Sequence, residues 1–290
     1  LILRQRHNRQ YREAVQALRR EKTAVAEDGG PFEQGLYVST EMFVNGMLHL
    51  IENAVVKRKV YDHLLLQRGI NAGLISSRVD AQLYDFCRSQ GVIPARLDQT
   101  SLQALRYWWI VAESTTLEGD SLCLGDLVLP NEMDHPQVRD AVLAQAGGRE
   151  LRHGRILHGG FFLGPRDFYE KLRHLDAAGQ EQICMTGVRR TNQLLLNYDL
   201  YCAQRQKARF INTGMIVSLS GAVASDALED GTVISGVGGQ YNFVAMAHDL
   251  RQGHRLALRF TTSDPDKMPT FAVDPLVTID TGPGGTVLQV

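Results

Sequence analysis

Apolar positions along the 290 residues switch between short runs and helical spacing, the rhythm of strands alternating with amphipathic helices. Leu36, Tyr37 and Val38 predict a short buried strand. Phe43, Met47, Leu50 and Ile51 predict a helix over residues 43–53, with Asn45-Gly46 ending or kinking its first turn. Glu41 therefore falls where a strand hands over to a helix. Residues 155–164 predict a strand running into a glycine turn, and Pro165 suits the first position of a helix past Phe168, Leu172 and Leu175. A strand at residues 183–186 follows, then a helix over 191–206 with Leu194, Leu195, Tyr198, Tyr201 and Cys202 on its apolar positions. Residues 210–220 and 255–260 predict two more strands. Residues 232–250 predict a strand, a glycine turn and a helix whose apolar face is Phe243, Met246, Ala247 and Leu250. Alternation of this kind predicts an α/β fold: an open, mainly parallel sheet with helices on both faces.

Residues 62–155 interrupt that rhythm. They carry a short amphipathic helix at 79–87, and a capping box from Thr100 to Gln103 ahead of Leu105, Trp109 and Ala112. Hairpin-like alternation follows over 119–130, then a polar loop enclosing a helix at 137–146. This predicts an inserted, mostly helical subdomain between a first α/β portion, residues 1–61, and a second, residues 156–290. Tyr107-Trp108-Trp109 reads as core within a helical pattern, with the lining of an acyl pocket as the alternative. In the first segment, Tyr11, Ala14, Val15 and Leu18 form an apolar stripe and Arg9, Arg12, Arg19 and Arg20 crowd the other positions. Glu13 and Glu21 are interleaved, so a solvated helix face is preferred over a phosphate-binding one.

Composition narrows the function more than the fold. The formal net charge is −1 and the pI about 6.8, so no whole-molecule field draws in nucleic acid or an anionic membrane, and local sites must do the recognising. Runs such as Leu64-Leu65-Leu66 fall far short of the roughly 20 apolar residues of a membrane helix. Cys87, Cys123, Cys184 and Cys202 show neither a Cys-x-x-Cys pair nor metal-ligand spacing with histidine. Most of them read as buried thiols in a reducing, cytoplasmic setting, with a bridge as the alternative that an even number leaves open, and no metal site is expected. His158, beside Gly159-Gly160, reads as a hydrogen-bonded structural histidine, with an acid or base as the alternative. Asp280-Thr-Gly282 resembles the triplet of an aspartic protease, but the chain has neither a second such element nor a β-rich pattern.

Two stretches carry candidate chemistry. Glu41 is a carboxylate at an α/β junction, where open sheets place ligands, although an acid in a first helical turn also simply complements the macrodipole. Gly236, Gly238 and Gly239 let the backbone approach a ligand and aim free amides at it, although their spacing alone is that of any tight turn and is not a dinucleotide fingerprint.

Together the stretches resemble the C-terminal domain of the acetyl-CoA hydrolase/transferase family, the family I CoA-transferases. The resemblance rests on Thr40-Glu41-Met42 with Asn45-Gly46, on Asn212-Thr213-Gly214-Met215, and on Ser235 to Gln240 with Asn242-Phe243. It covers residues 31–61 and 156–262. It implies a CoA-transferase-like fold and an acyl-CoA:carboxylate CoA-transferase or acetyl-CoA hydrolase acting through a glutamyl-CoA thioester on Glu41. Gly238 and Gly239 would be oxyanion donors, and Met215, Ser235 and Gly239 would contact CoA. Coenzyme A enters as substrate, with no metal. The implied partners are acyl-CoA, a small carboxylic acid and a second copy of the chain in a dimer. Ile216 and Ser218 stand where relatives often have acidic residues. The family's upstream Gly-x-Gly CoA loop does not precede Glu41, the sequence from Ser263 onwards departs from the pattern, and the chain opens without methionine. The expectation is a catalytic half with a further N-terminal α/β domain in the complete enzyme. The competing reading is a non-catalytic scaffold in which residues 62–155 mediate assembly. A nicotinamide dehydrogenase is disfavoured by the absence of Gly-x-Gly-x-x-Gly with a downstream acid.

Overall fold

A computed structural model describes residues 34–206, 208–214, 216–217, 223–228 and 230–250, together with strands at 255–260 and 276–280. The predicted basic helix of the first segment, Met215, Ser218 and Gly282 lie outside the described residues.

The sheet that carries Glu41 is parallel. Strand β1 (Val38–Val44) runs straight into helix α1 (Asn45–Glu52), so Glu41 sits within the strand, and Asn45-Gly46 opens the helix instead of ending its first turn. The strand prevails past Val38 because residues 38–44 find a partner. β1 pairs in parallel with β5 (Leu157–Leu163), matching Ser39 to His158, Thr40 to Gly159 and Met42 to Phe161. β5 pairs in parallel with β6 (Ile183–Met185), giving the order β1-β5-β6. Phe43, Leu48, Val56, Ile156, Leu157 and Phe168 form the core beneath this sheet. Phe168 belongs to helix α6 (Arg166–Arg173), for which Pro165 is the N-cap and not the first helical residue.

Between β1 and β5 the chain leaves and returns at one place. Val60 and Arg155 exchange two backbone hydrogen bonds of 2.9 Å. The chain between them forms helices α2 (Leu64–Asn71), α3 (Ala81–Ser89), α4 (Gln99–Tyr107) and α5 (Pro136–Ala146). It also forms a three-stranded antiparallel meander of β2 (Thr116–Glu118), β3 (Ser121–Leu124) and β4 (Leu127–Pro130). One hydrophobic core, from Tyr61 to Leu151, draws all of its buried residues from this stretch, Trp108 included. The capping box of α4 is set two residues earlier than expected. Asp98 accepts from the Ser101 amide at 2.7 Å and the Ser101 hydroxyl accepts from the Asp98 amide at 2.9 Å, so the carboxylate displaces Thr100 from the cap. Tyr107, at the end of α4, is exposed and stacks on His153 at 3.9 Å between centroids.

Helix α7 (Ala177–Gln182) leads into β6, and after it come the single turn α8 (Val188–Thr191) and helix α9 (Tyr198–Gln204). The predicted helix over 191–206 is thus cut short: residues 192–197 are irregular, and Leu195 is 79% exposed instead of facing a core. A second three-stranded sheet pairs β10 (Arg255–Phe260) in parallel with β7 (Arg209–Gly214) and antiparallel with β11 (Leu276–Asp280). A short antiparallel pair, β8 (Ile216–Val217) and β9 (Val223–Ala224), lies between them in sequence. The predicted strand at 232–235 does not form. Val233 makes one isolated bridge to Ala227, Val233 and Ile234 are exposed, and among the described residues the stretch extends into no sheet. Helix α10 (Gln240–Asp249) packs Met246 and Ala247 into a cluster with Leu194, Leu200, Tyr201, Phe210 and Leu250. The architecture is mixed α/β with a parallel three-stranded sheet. Among the described residues the strands form separate small sheets in place of one open sheet, and no helix is long and apolar enough to cross a membrane.

Candidate active site

Tyr37, just before β1, and Ser39 and Glu41 within it alternate onto one face at the two-residue period of extended chain. The turn of residues 188–193 lies over that face. Close approach is possible because β5 carries Gly160, where a Cβ would come within 2.7 Å of both the Glu41 carbonyl oxygen and Val188 Cγ1.

Glu41 is half-buried, and its Oε2 accepts a 3.0 Å hydrogen bond from Nδ2 of Asn192. The orientation of that amide is set by its other end, since the Thr191 hydroxyl donates to Asn192 Oδ1 at 2.9 Å. The Asn192 backbone amide is tied to Val188 O at 2.8 Å. Both Thr191 and Asn192 are buried. The third wall is Gly239, the N-cap of α10. A Cβ there would collide with Glu41 Oε2 and stand 2.7 Å from Asn192 Nδ2 and 3.0 Å from Phe243 Cε2. Gly239 has φ −90°, which any residue can adopt, so glycine is required there by space. Gly238, with φ +60°, sits in the left-handed region that favours glycine. Gly239 thus sets the N-terminal end of α10 directly against the carboxylate.

Glu41 and Gly239 are therefore brought together, with Gly238 next in the chain. Ser235 is not part of this contact: it is exposed, and its hydroxyl donates to Ser225 O at 3.2 Å and Gly236 O at 3.1 Å. The backbone of Ile216 is in β8. Asn192 was hidden in the sequence by the helical spacing of Leu194, Leu195 and Tyr198. The signal that could have exposed it is the polar run Arg189 to Gln193 between two apolar stretches.

Polar groups gather around His158, the partner of Ser39 across the sheet. His158, 1% exposed, shares a 2.8 Å hydrogen bond between Nδ1 and the Tyr37 hydroxyl, and its Nε2 has no protein partner among the described residues. Burial, the Arg190 charge and, further off, Arg205 press its imidazole down to about 3, against the pull of Asp62. His158 is thus a neutral structural histidine at neutral pH. Burial likewise pushes the Tyr37 phenol up to about 12, although Arg205 and Arg190 oppose it. Burial alone would raise the Asp62 carboxyl, but the Arg190 hydrogen bond and charge and the Gln204 amide outweigh it and hold Asp62 below the usual range.

The arrangement offers a carboxylate oxygen flanked by a side-chain amide and by the N-terminal end of a helix. Among the described residues no group of three or more histidine, cysteine or acidic side chains could hold a metal ion. Such a site suits attack by the carboxylate on an activated carbonyl whose developing oxyanion is met by N–H donors.

No curated protein and no solved structure matches the chain. A family model does match, over residues 164–273, a span that includes Asn192, Ser235, Gly238 and Gly239 and begins after Glu41. That model is the acetyl-CoA hydrolase/transferase C-terminal domain, and the match supports this family for residues 164–273.

Proposed function

We propose that the protein is an acyl-CoA hydrolase or acyl-CoA:carboxylate CoA-transferase in which Glu41 is the nucleophile. The observation that carries this reading is the meeting of the Glu41 carboxylate with Asn192 Nδ2 and the Gly239 bend, since 151 residues separate Glu41 from Asn192.

The reaction balances as follows. A Glu41 oxygen attacks the thioester carbonyl and CoA leaves as thiolate, giving a mixed anhydride of Glu41 and the acyl group. The thiolate then attacks the glutamyl carbonyl and the acyl group departs as a carboxylate, leaving a glutamyl-CoA thioester. A second carboxylate can reverse these steps and leave with CoA, or water can cleave the thioester and restore Glu41. Each addition places negative charge on a carbonyl oxygen. Asn192 Nδ2 and the Gly238-Gly239 amides are the donors at hand, and one such donor is typically worth about 3 kcal/mol.

Met215 and Ser235 remain candidates for CoA contact in this reading, and the stretch between Val60 and Arg155 acts as an inserted subdomain. Its own core and its paired ends support that part. The test is mass spectrometry of the protein after acetyl-CoA, and then after acetate or succinate. A CoA adduct on the Glu41 peptide that the second acid discharges is expected. An unmodified Glu41 in a protein that turns over acyl-CoA would remove the proposal. A protein with neither turnover nor heat stabilisation by CoA would favour the scaffold.

A further inference from the structure

Among the described residues, Arg205 is the one charged side chain of the Arg, Lys, Asp and Glu types that is buried, at 5% exposure, and it makes no ion pair with a described carboxylate. A buried cation without a counter-ion is costly and persists only where its donors are fully used. Those of Arg205 go to a narrow set of acceptors. Nη1 donates to Gln193 O at 3.0 Å and meets Met246 Sδ at 3.1 Å. Nη2 donates to Arg190 O at 2.5 Å, Thr191 O at 3.3 Å and Ser39 Oγ at 3.3 Å, and the guanidinium lies over the Tyr201 ring at 5.2 Å.

The three carbonyls belong to residues 190, 191 and 193, which bracket Asn192. Ser39 shares a face of β1 with Glu41, two residues on. Met246 lies on α10, whose N-cap is Gly239. One planar group thus ties together the three elements that bear the site. It holds the turn by its backbone while leaving the Asn192 side chain free to reach Glu41.

We propose that Arg205 is a positioning residue for the Glu41 reaction: its fork of hydrogen bonds to the carbonyls around Asn192 sets the Asn192 amide against the Glu41 carboxylate. This rests on the catalytic reading given above. The task is geometric, so charge alone does not fulfil it. A lysine ammonium at this depth has three donors on one nitrogen and cannot span the separated carbonyls as a guanidinium does.

The experiment compares Arg205→Met, Arg205→Lys and Asn192→Ala, singly and as the Arg205→Met/Asn192→Ala pair, in the full chain. Acyl-CoA turnover and the side-chain amide NMR signals of Asn192 are both read. Asn192→Ala assigns the signals, and Glu41→Gln identifies the shift caused by the carboxylate. Arg205→Met is expected to lower kcat about 100-fold, the scale of losing one oxyanion donor, with KM nearly unchanged. Arg205→Lys should recover little of it, and in the Asn192→Ala background Arg205→Met should add almost nothing. The Asn192 signals should move toward those of Glu41→Gln. Full rescue by lysine, multiplicative losses in the pair, or Asn192 signals unmoved in a folded Arg205 variant would each overturn the proposal. If Arg205→Met does not fold, the lysine variant decides on the same readouts. The NMR arm decides for Arg205 even if the parent protein turns over no acyl-CoA, a result that would count against the catalytic reading alone.

Discussion

Glu41 Oε2 lies 3.0 Å from Asn192 Nδ2, an amide whose other end is fixed by the Thr191 hydroxyl. The same donor is poised for the oxyanion that the proposed attack creates. Asn192→Ala is therefore expected to lower kcat by about 100-fold or more, as for other oxyanion donors, with little change in KM. Asn192→Asp should be worse at neutral pH, because two carboxylates at that separation resist joint ionisation. Steady-state acyl-CoA kinetics on both variants check this, and a fully active Asn192→Asp protein would contradict it.

Gly239→Ala tests the space beside the carboxylate. The backbone there accepts alanine, so the whole effect comes from the methyl group meeting Glu41 Oε2 and Asn192 Nδ2. The expected result is a loss of about 1–3 kcal/mol of stability, typical of an overpacked site, together with a large fall in turnover. Gly239→Ala with parental thermal stability and kcat would show that the bend does not press on Glu41.

His158 makes stability depend on pH. Its imidazole titrates near 3 in the folded chain, against an ordinary value of 6.5. Below 6.5 the unfolded chain takes up a proton that the folded chain refuses, so stability is full above 6.5 and falls as pH drops from 6.5 toward 3. The slope reaches about 1.4 kcal/mol per pH unit for one such group. In urea unfolding at pH 7 and pH 5, His158→Gln should show a smaller loss than the parent. Equal losses would contradict the burial of a neutral imidazole.

The paired ends at Val60 and Arg155 make a prediction about autonomy. Residues directly opposite in a hydrogen-bonded antiparallel pair stand about 5.5 Å apart, a gap that a two-residue turn closes. A fragment of residues 59–156 is expected to unfold cooperatively by circular dichroism, because the core from Tyr61 to Leu151 is complete within it. Its weak point is α2, which loses the Asn71 Nδ2 to Ala203 O bond of 2.7 Å and the Arg68–Asp199 pair. A fragment without a cooperative transition would argue against an inserted subdomain.

The sequence showed the alternation of strands and helices and drew attention to Glu41 and the glycine bend, because strand periodicity and glycine punctuation are local signals. It did not show where β1 ends. Residues 39–44 suit either a strand or a first helical turn, and the pairing with β5, over 100 residues away, decides between them. The strand expected at 232–235 failed for the converse reason: among the described residues its pairing stops at the isolated bridge from Val233 to Ala227. Asn192 and Arg205 were not legible because their roles depend on a turn that interrupts an otherwise helical pattern, and on a buried cation that composition counts as a surface charge.

The claim on which these readings depend is covalent chemistry at Glu41. It is tested most directly by incubating the protein with acetyl-CoA and borohydride and sequencing the modified peptide by mass spectrometry. The account predicts reduction of a glutamyl thioester to the alcohol at Glu41, blocked in Glu41→Gln. An untouched Glu41 while acetyl-CoA is consumed, or a Glu41→Ala protein that turns over acetyl-CoA as fast as its parent, would contradict it.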